Sequence, residues 1–152
     1  NNDNKTNSNN TLSTQKSNTK STQSTENKTI NLEADESGNI VIDTTNIGSK
    51  ATFYNYNADG TTIRLFAVKA SDGTIRMAFN TCQVCNPSPK AYFVQNGKNF
   101  ICQNCKNSFA TDNIGKERGG CNPIPITTDE RIDGENTIII TKQFIESYKE
   151  NF

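Results

Sequence analysis

The chain has no histidine and a single methionine, Met77. Without histidine no Ser-His-Asp arrangement can be built, and no imidazole is available as a metal ligand. No glycine-rich phosphate loop is present, so neither hydrolase nor nucleotide chemistry has support. Charge of one sign is lacking too: 16 basic residues balance 16 acidic ones. No basic block offers a footprint for nucleic acid. No apolar run approaches the roughly 18 residues that span a bilayer. A signal peptide is also missing, and the expectation is that any targeting segment has been removed ahead of Asn1.

The 152 residues are enough for one domain with a modest core, and overall hydrophobic content is 32%. That average hides a shift in composition. Between Asn1 and Thr29, Asn, Ser and Thr fill 20 of 29 positions, and Leu12 is the one apolar residue. Such a segment cannot bury enough surface to offset the entropy of ordering. Residues 1–29 are therefore expected to be a disordered polar stalk, and residues 30–152 a cysteine-rich metal-binding domain. A stalk of this kind suits tethering to a lipid or transmembrane anchor upstream.

The domain reads as mainly β (α+β), a small antiparallel-sheet fold of about seven short strands with one C-terminal helix. Ile30, Leu32 and Ala34 alternate, and "SGN" turns the chain into "IVID". "ATFYNY", "TTIRLFAVK" and "TIRMAFN" follow, connected by "NADG" and "SDG". Glycine at the end of each short polar connection suits hairpin turns. "KAYFVQ" and "KNFICQ" flank Asn96-Gly97, the strongest hairpin signal, and Asp133-Gly134 leads into "NTIIIT". In "TKQFIESYKENF", Phe144, Ile145, Tyr148 and Phe152 share a face at helical spacing. Phe53, Tyr54, Tyr56, Phe66 and Phe79 read as core and sheet filler rather than a ligand platform.

The chemistry is concentrated in "NTCQVCNPSP", "FICQNCKN" and "GGCNPIPI". Cys82 and Cys85 form one CxxC pair, Cys102 and Cys105 a second, and sixteen residues separate the pairs. This is the spacing of a four-thiolate metal site. Each CxxC turn directs two sulfurs to one side while backbone N–H groups stabilise the thiolates, and a hairpin at Asn96-Gly97 would bring the turns face to face. Sulfurs sharing one metal should then lie within roughly 4 Å of one another. Two other readings stay open. A CxxC can be a thiol–disulfide redox site, and cysteines of extracytoplasmic proteins often form structural disulfides. Five is an odd number for full pairing, and "NPSP" after Cys85 prevents the helix that a thioredoxin-type motif would open.

The stretches "FYNYNADGTTIRLFAVKASDGTIRMAFNTCQVC", "FICQNCKNSF" and "GGCNPIPI" resemble, in this order, the FtrD-like membrane iron–sulfur protein family, over residues 30 to 140. The resemblance implies an extracytoplasmic, membrane-tethered domain working beside iron-uptake or other metal-transport components, often a permease. It implies that Cys82, Cys85, Cys102, Cys105 and Cys121 are the functional set. Lys106 departs from the family pattern, in which glycine commonly follows the second CxxC, at some cost in backbone freedom.

Thiolates favour Zn²⁺, Cu(I), or iron in a rubredoxin-like or cluster form. Iron in transit would favour oxygen ligands, so electron transfer or redox handling of the metal suits this set better than direct ferrying. Asp112, Glu117, Asp129 and Glu130 could offer oxygens but read as solvated surface. Three functions follow: a metal-binding accessory protein of a transport system, an extracytoplasmic thiol oxidoreductase in which Cys121 resolves, or a structural zinc-ribbon module for protein contact. Gly119-Gly120 is expected to permit close backbone approach, and Asn122-Pro123 with Pro125 to fix an extended exit. Cys121 is accordingly expected at the site, as a ligand that bridges or completes a multinuclear Cu(I) cluster or as an exchanging redox thiol. The plain alternative is a buried small hydrophobe.

Overall fold

A computed structural model describes residues 28–152. The expected stalk thus lies almost wholly outside the described residues. Thr29, which the composition placed in the stalk, is the first residue of β1.

Eleven strands are present among the described residues, in three sheets. A central sheet has the order β1 (Thr29–Leu32), β3 (Thr52–Ala58), β4 (Thr61–Lys69), β5 (Ile75–Cys82), β9 (Pro123–Ile126). Its pairs are antiparallel except β1 with β3, which is parallel. A second sheet has the order β10 (Ile132–Asp133), β11 (Thr137–Thr141), β2 (Asn39–Asp43). The third is β6 (Phe93–Asn96), β7 (Asn99–Cys102), β8 (Ser108–Ala110). The mainly β fold class read from the sequence is the one observed.

The central sheet is covered on both faces, and its strand sequences explain why. Along β4, Ile63, Leu65 and Ala67 point to one side while Phe66 and Val68 point to the other, and all five are buried. Period-two alternation with apolar residues at both parities is what a doubly covered strand requires. On the first side, Leu65, Met77 and Phe79 meet Ile40 and Ile42 of β2 and Ile138 and Ile140 of β11. On the second side, Phe66 and Ala78 meet Phe93, Phe100 and Phe109 of the third sheet. Phe66 and Phe100 stack with centroids 4.7 Å apart and rings 19° from parallel. Tyr54, Tyr56, Phe66 and Phe79 are buried and Phe53 is partly so, in the core roles expected of them.

The β3–β4 hairpin closes through Asp59 and Gly60, both at positive φ (52° and 92°), the signature of a type I′ turn. The β6–β7 hairpin also forms where expected, with Asn96 opposite Asn99 and Gly97 at φ 62°.

Two expectations are corrected. The terminal helix, α1 (Lys142–Glu146), has five residues, and a 3-10 turn at Lys149–Asn151 replaces its continuation. The Ser147 hydroxyl donates to the Phe144 carbonyl at 2.6 Å, competing for a backbone acceptor just where the helix ends. Phe144, Tyr148 and Phe152 nonetheless reach the same apolar target, with ring centroids 5.9, 4.4 and 6.2 Å from that of Phe79. The strand count of about seven is also low. The extended exit read at Pro123–Ile126 is a paired strand, β9, and β8 and β10 are further short strands. Proline lacks the ladder donor, which is tolerated here because β9 is the sheet's edge.

Candidate metal centre

The first CxxC turn begins where β5 ends. Cys82 is the last residue of that strand, after a register shift between Phe79 and Cys82, and is fully buried. The Cys85 and Asn86 N–H groups donate back to the Cys82 carbonyl at 3.2 and 3.0 Å, closing the turn. The Asn86 side-chain amide reinforces it, donating to the carbonyls of Cys82 (3.0 Å) and Gln83 (2.8 Å).

The second turn begins where β7 ends. Cys102, its last residue, is also fully buried, and Lys106 N–H donates to its carbonyl at 2.8 Å. Lys106 lies at φ 65°, the left-handed conformation in which the glycine common in the resembled family would be unstrained. Cys82 N–H donates to Ala91 O at 2.6 Å and Gln103 N–H to Tyr92 O at 2.8 Å. Both turns are thereby fixed to the segment leading into β6.

Cys121 arrives by a different route. Pairing of β5 with β9 sets Pro123 opposite Cys82, so the residue two positions earlier lies beside the first turn. Its sulfur is 3.3 Å from that of Cys82, while those of Cys85 and Cys102 are 3.9 Å apart. The Cys105 and Cys121 sulfurs are in bonding contact. All five sulfurs lie within 4.8 Å of one another. Burial is graded: Cys82 and Cys102 are buried, Cys85 and Cys121 half-buried, and Cys105 exposed.

The environment treats the thiols unequally. Burial pushes Cys82 up to about 12, and a hydrogen bond with Cys85 adds to that, while N–H groups of Val84 and Cys85 aimed at the sulfur oppose it. Burial acts in the same direction on Cys85. It is outweighed there by hydrogen bonds from Cys82, the Asn104 side chain, Cys102 and the Cys105 backbone, and the net shift is downward. N–H groups directed at sulfur are the thiolate stabilisation expected of CxxC turns.

Among the described residues, the group able to hold a metal ion is this cysteine cluster. The acidic residues considered as an oxygen site serve other ends. Asp112 accepts from the Ser71 N–H and hydroxyl, and Glu130 forms a capping box with Thr127. Glu117 and Asp129 are exposed.

Residues 46–152 match the family described as "Membrane iron-sulfur containing protein FtrD-like". The chain belongs to the FtrD-like family. No curated protein and no solved structure matched it. The FtrD-like match runs to residue 152 and so takes in α1, beyond the stretch to residue 140 over which the motifs carry the resemblance. The family is described as a membrane protein; no helix among the described residues is long and apolar enough to cross a membrane.

The donor set of this FtrD-like chain suits a metal. Five thiol sulfurs converge with backbone and amide donors on them, and thiolates around one ion at bonds of about 2.3 Å stand about 3.8 Å apart. The separations of 3.3 and 3.9 Å bracket that value. Cys105 and Cys121 have Cα atoms 7.7 Å apart, beyond the roughly 4.4–6.8 Å of bridged cysteines. That Cα spacing is wider than a structural crosslink takes, and the contact between the two sulfurs has to open before both can serve as ligands.

Residues beyond the cysteines also shape the site. Gln83, Asn104, Asn107 and Asn122 hold the three segments together, and their sequence signal is only that polar amides recur inside and beside the cysteine motifs. The expectation that Gly119-Gly120 permits close approach is corrected. A Cβ at Gly119 would meet nothing within 4 Å, and at Gly120 it would meet only Asn122 Oδ1 at 3.6 Å. Gly119 is required instead by its φ of 91°.

Proposed function

We propose that the protein is an extracytoplasmic, membrane-tethered accessory protein of a metal-uptake or metal-transport system, which holds a thiophilic metal on Cys82, Cys85, Cys102, Cys105 and Cys121. The observation that carries the reading is the convergence of all five sulfurs within 4.8 Å. An all-sulfur shell selects Cu(I), Zn²⁺ or iron over hard cations, and iron bound in this way would supply one-electron chemistry. The spacing suits a single ion or ions bridged by thiolates; a cluster with inorganic sulfide would need the cysteines further apart. Cys82 and Cys102, buried at strand ends, provide the fixed base of the site, and exposed Cys105 is its face toward a partner. In this reading the partner is a membrane permease or another transport component, reached through an anchor upstream of the domain.

A second reading, an extracytoplasmic thiol–disulfide oxidoreductase, draws support from the Cys105–Cys121 contact, which joins a CxxC cysteine to the fifth one. Purifying the protein without oxygen or added metal, then measuring metal content and free thiols together, separates the two. The metal reading expects bound copper, zinc or iron with thiols masked until a chelator is added. A metal-free protein with three free thiols and a reducible Cys105–Cys121 bond would favour the oxidoreductase.

A further inference from the structure

Cys121 belongs to neither CxxC turn, yet the residues around it leave the segment little freedom. Asn122 is 3% exposed, and both the donor and the acceptor end of its amide are engaged. Its Nδ2 donates to Gln83 Oε1 (3.2 Å), Glu117 O (3.0 Å) and Pro123 O (2.9 Å). Its Oδ1 accepts from Gly120 N–H at 2.7 Å. Gln83 Oε1 also accepts from Gly119 N–H at 2.8 Å, and Gln83 N–H donates to Asn122 O at 2.9 Å. Residues on both sides of Cys121 are therefore tied to an interior position of the first CxxC turn. A buried amide pays its full desolvation penalty if these partners are lost, so the network permits one placement of the segment.

We infer that Asn122 and Gln83 are positioning residues that hold Cys121 in the centre as its fifth thiolate and so set how many thiophilic ions it takes. The inference rests on the metal-centre reading. Four thiolates saturate one tetrahedral ion; a fifth permits a second Cu(I) through bridging sulfur. Gln83 contributes through one acceptor oxygen, which a carboxylate reproduces and a methyl does not. The Asn122 amide contributes donors, which a carboxylate cannot replace.

The test uses the full chain, reduced and metal-free, as Asn122→Asp, Gln83→Ala, Gln83→Glu and Cys121→Ala variants. Cu(I) supplied as its acetonitrile complex is titrated to count ions bound, and iodoacetamide labelling of Cys121 is timed without metal. Asn122→Asp and Gln83→Ala should bind copper at the lower stoichiometry of Cys121→Ala and label Cys121 about fivefold faster or more. Gln83→Glu should match the unaltered protein in both, and adding Cys121→Ala to Asn122→Asp should lower the count no further. If circular dichroism shows that Asn122→Asp does not fold, Gln83→Ala against Gln83→Glu carries the comparison. Unaltered stoichiometry and labelling in Gln83→Ala would overturn the inference, as would identical behaviour of the two Gln83 variants. Should the unaltered protein bind no copper, the metal reading fails on its own, and the labelling rates alone decide whether Asn122 and Gln83 place Cys121.

Discussion

Lys106 holds a backbone conformation, φ 65°, that costs a residue with a Cβ about 1–2 kcal/mol. It does so because the second CxxC turn must curl to bring its N–H onto the Cys102 carbonyl. Lys106→Gly should therefore stabilise the domain by about 0.5–1 kcal/mol, the strain relieved less the added freedom of the unfolded chain. Urea unfolding checks this, and a lower midpoint would mean that the lysine side chain contributes something the backbone argument omits. The thiols offer a second test at this scale. Folding raises the pKa of Cys82, so the fold favours its neutral form; that contribution is intact below the ordinary value of 9.0 and is lost as pH climbs toward about 12. Cys85 is lowered, so its contribution is present above the ordinary value and lost as pH falls through the lowered one. In reduced, metal-free protein, alkylation followed across pH by peptide mass mapping should label Cys85 at lower pH than Cys82. The reverse order would contradict the assigned environments.

At the scale of elements, the third sheet carries the second CxxC turn and is attached to the central sheet largely through aromatic packing. Phe66→Ala removes the ring stacked on Phe100 and should cost about 3–5 kcal/mol. Because it loosens the seat of one turn against the other, metal affinity should fall with stability. Phe79→Ala, on the opposite face against Tyr148, should cost a similar amount while leaving metal stoichiometry unchanged in the folded fraction. Equal effects of the two on metal binding would show that the faces are not separable in this way. The same elements show what the sequence makes legible. The hairpin at Asp59-Gly60 is legible because a two-residue loop demands its own backbone chemistry; at Asn96-Gly97 the glycine marks the turn, although the loop itself is Gly97-Lys98. Strand β9 is not legible, since two prolines argue against a strand unless it is known to lie at an edge. The helix is shorter than its pattern suggests, because the apolar spacing of Phe144, Ile145, Tyr148 and Phe152 is served equally by one short helix and a following 3-10 turn. The convergence of the five cysteines was expected from their spacing, but the amides that arrange them were not, because hydrogen bonds from Asn122 to residues up to 39 positions away leave no periodic trace.

For the whole molecule, the β5–β9 pairing and the β6–β7 hairpin close three separate segments around one point, and the rest of the fold serves to hold those segments in register. In the membrane-tethered reading, this places a soft-metal site on a small domain that extends from an anchor toward a transport partner. If the five cysteines form a single metal centre, X-ray absorption at the metal edge of the loaded protein should show a first shell of sulfur alone, with scatterers at about 2.3 Å. Replacing Cys82 and Cys102 together by Ser leaves three thiolates, and should lower the number of ions bound or bring oxygen into the shell. A first shell containing oxygen or nitrogen in the unaltered protein, or a shell and ion count unchanged when both cysteines are replaced, would rule the single centre out.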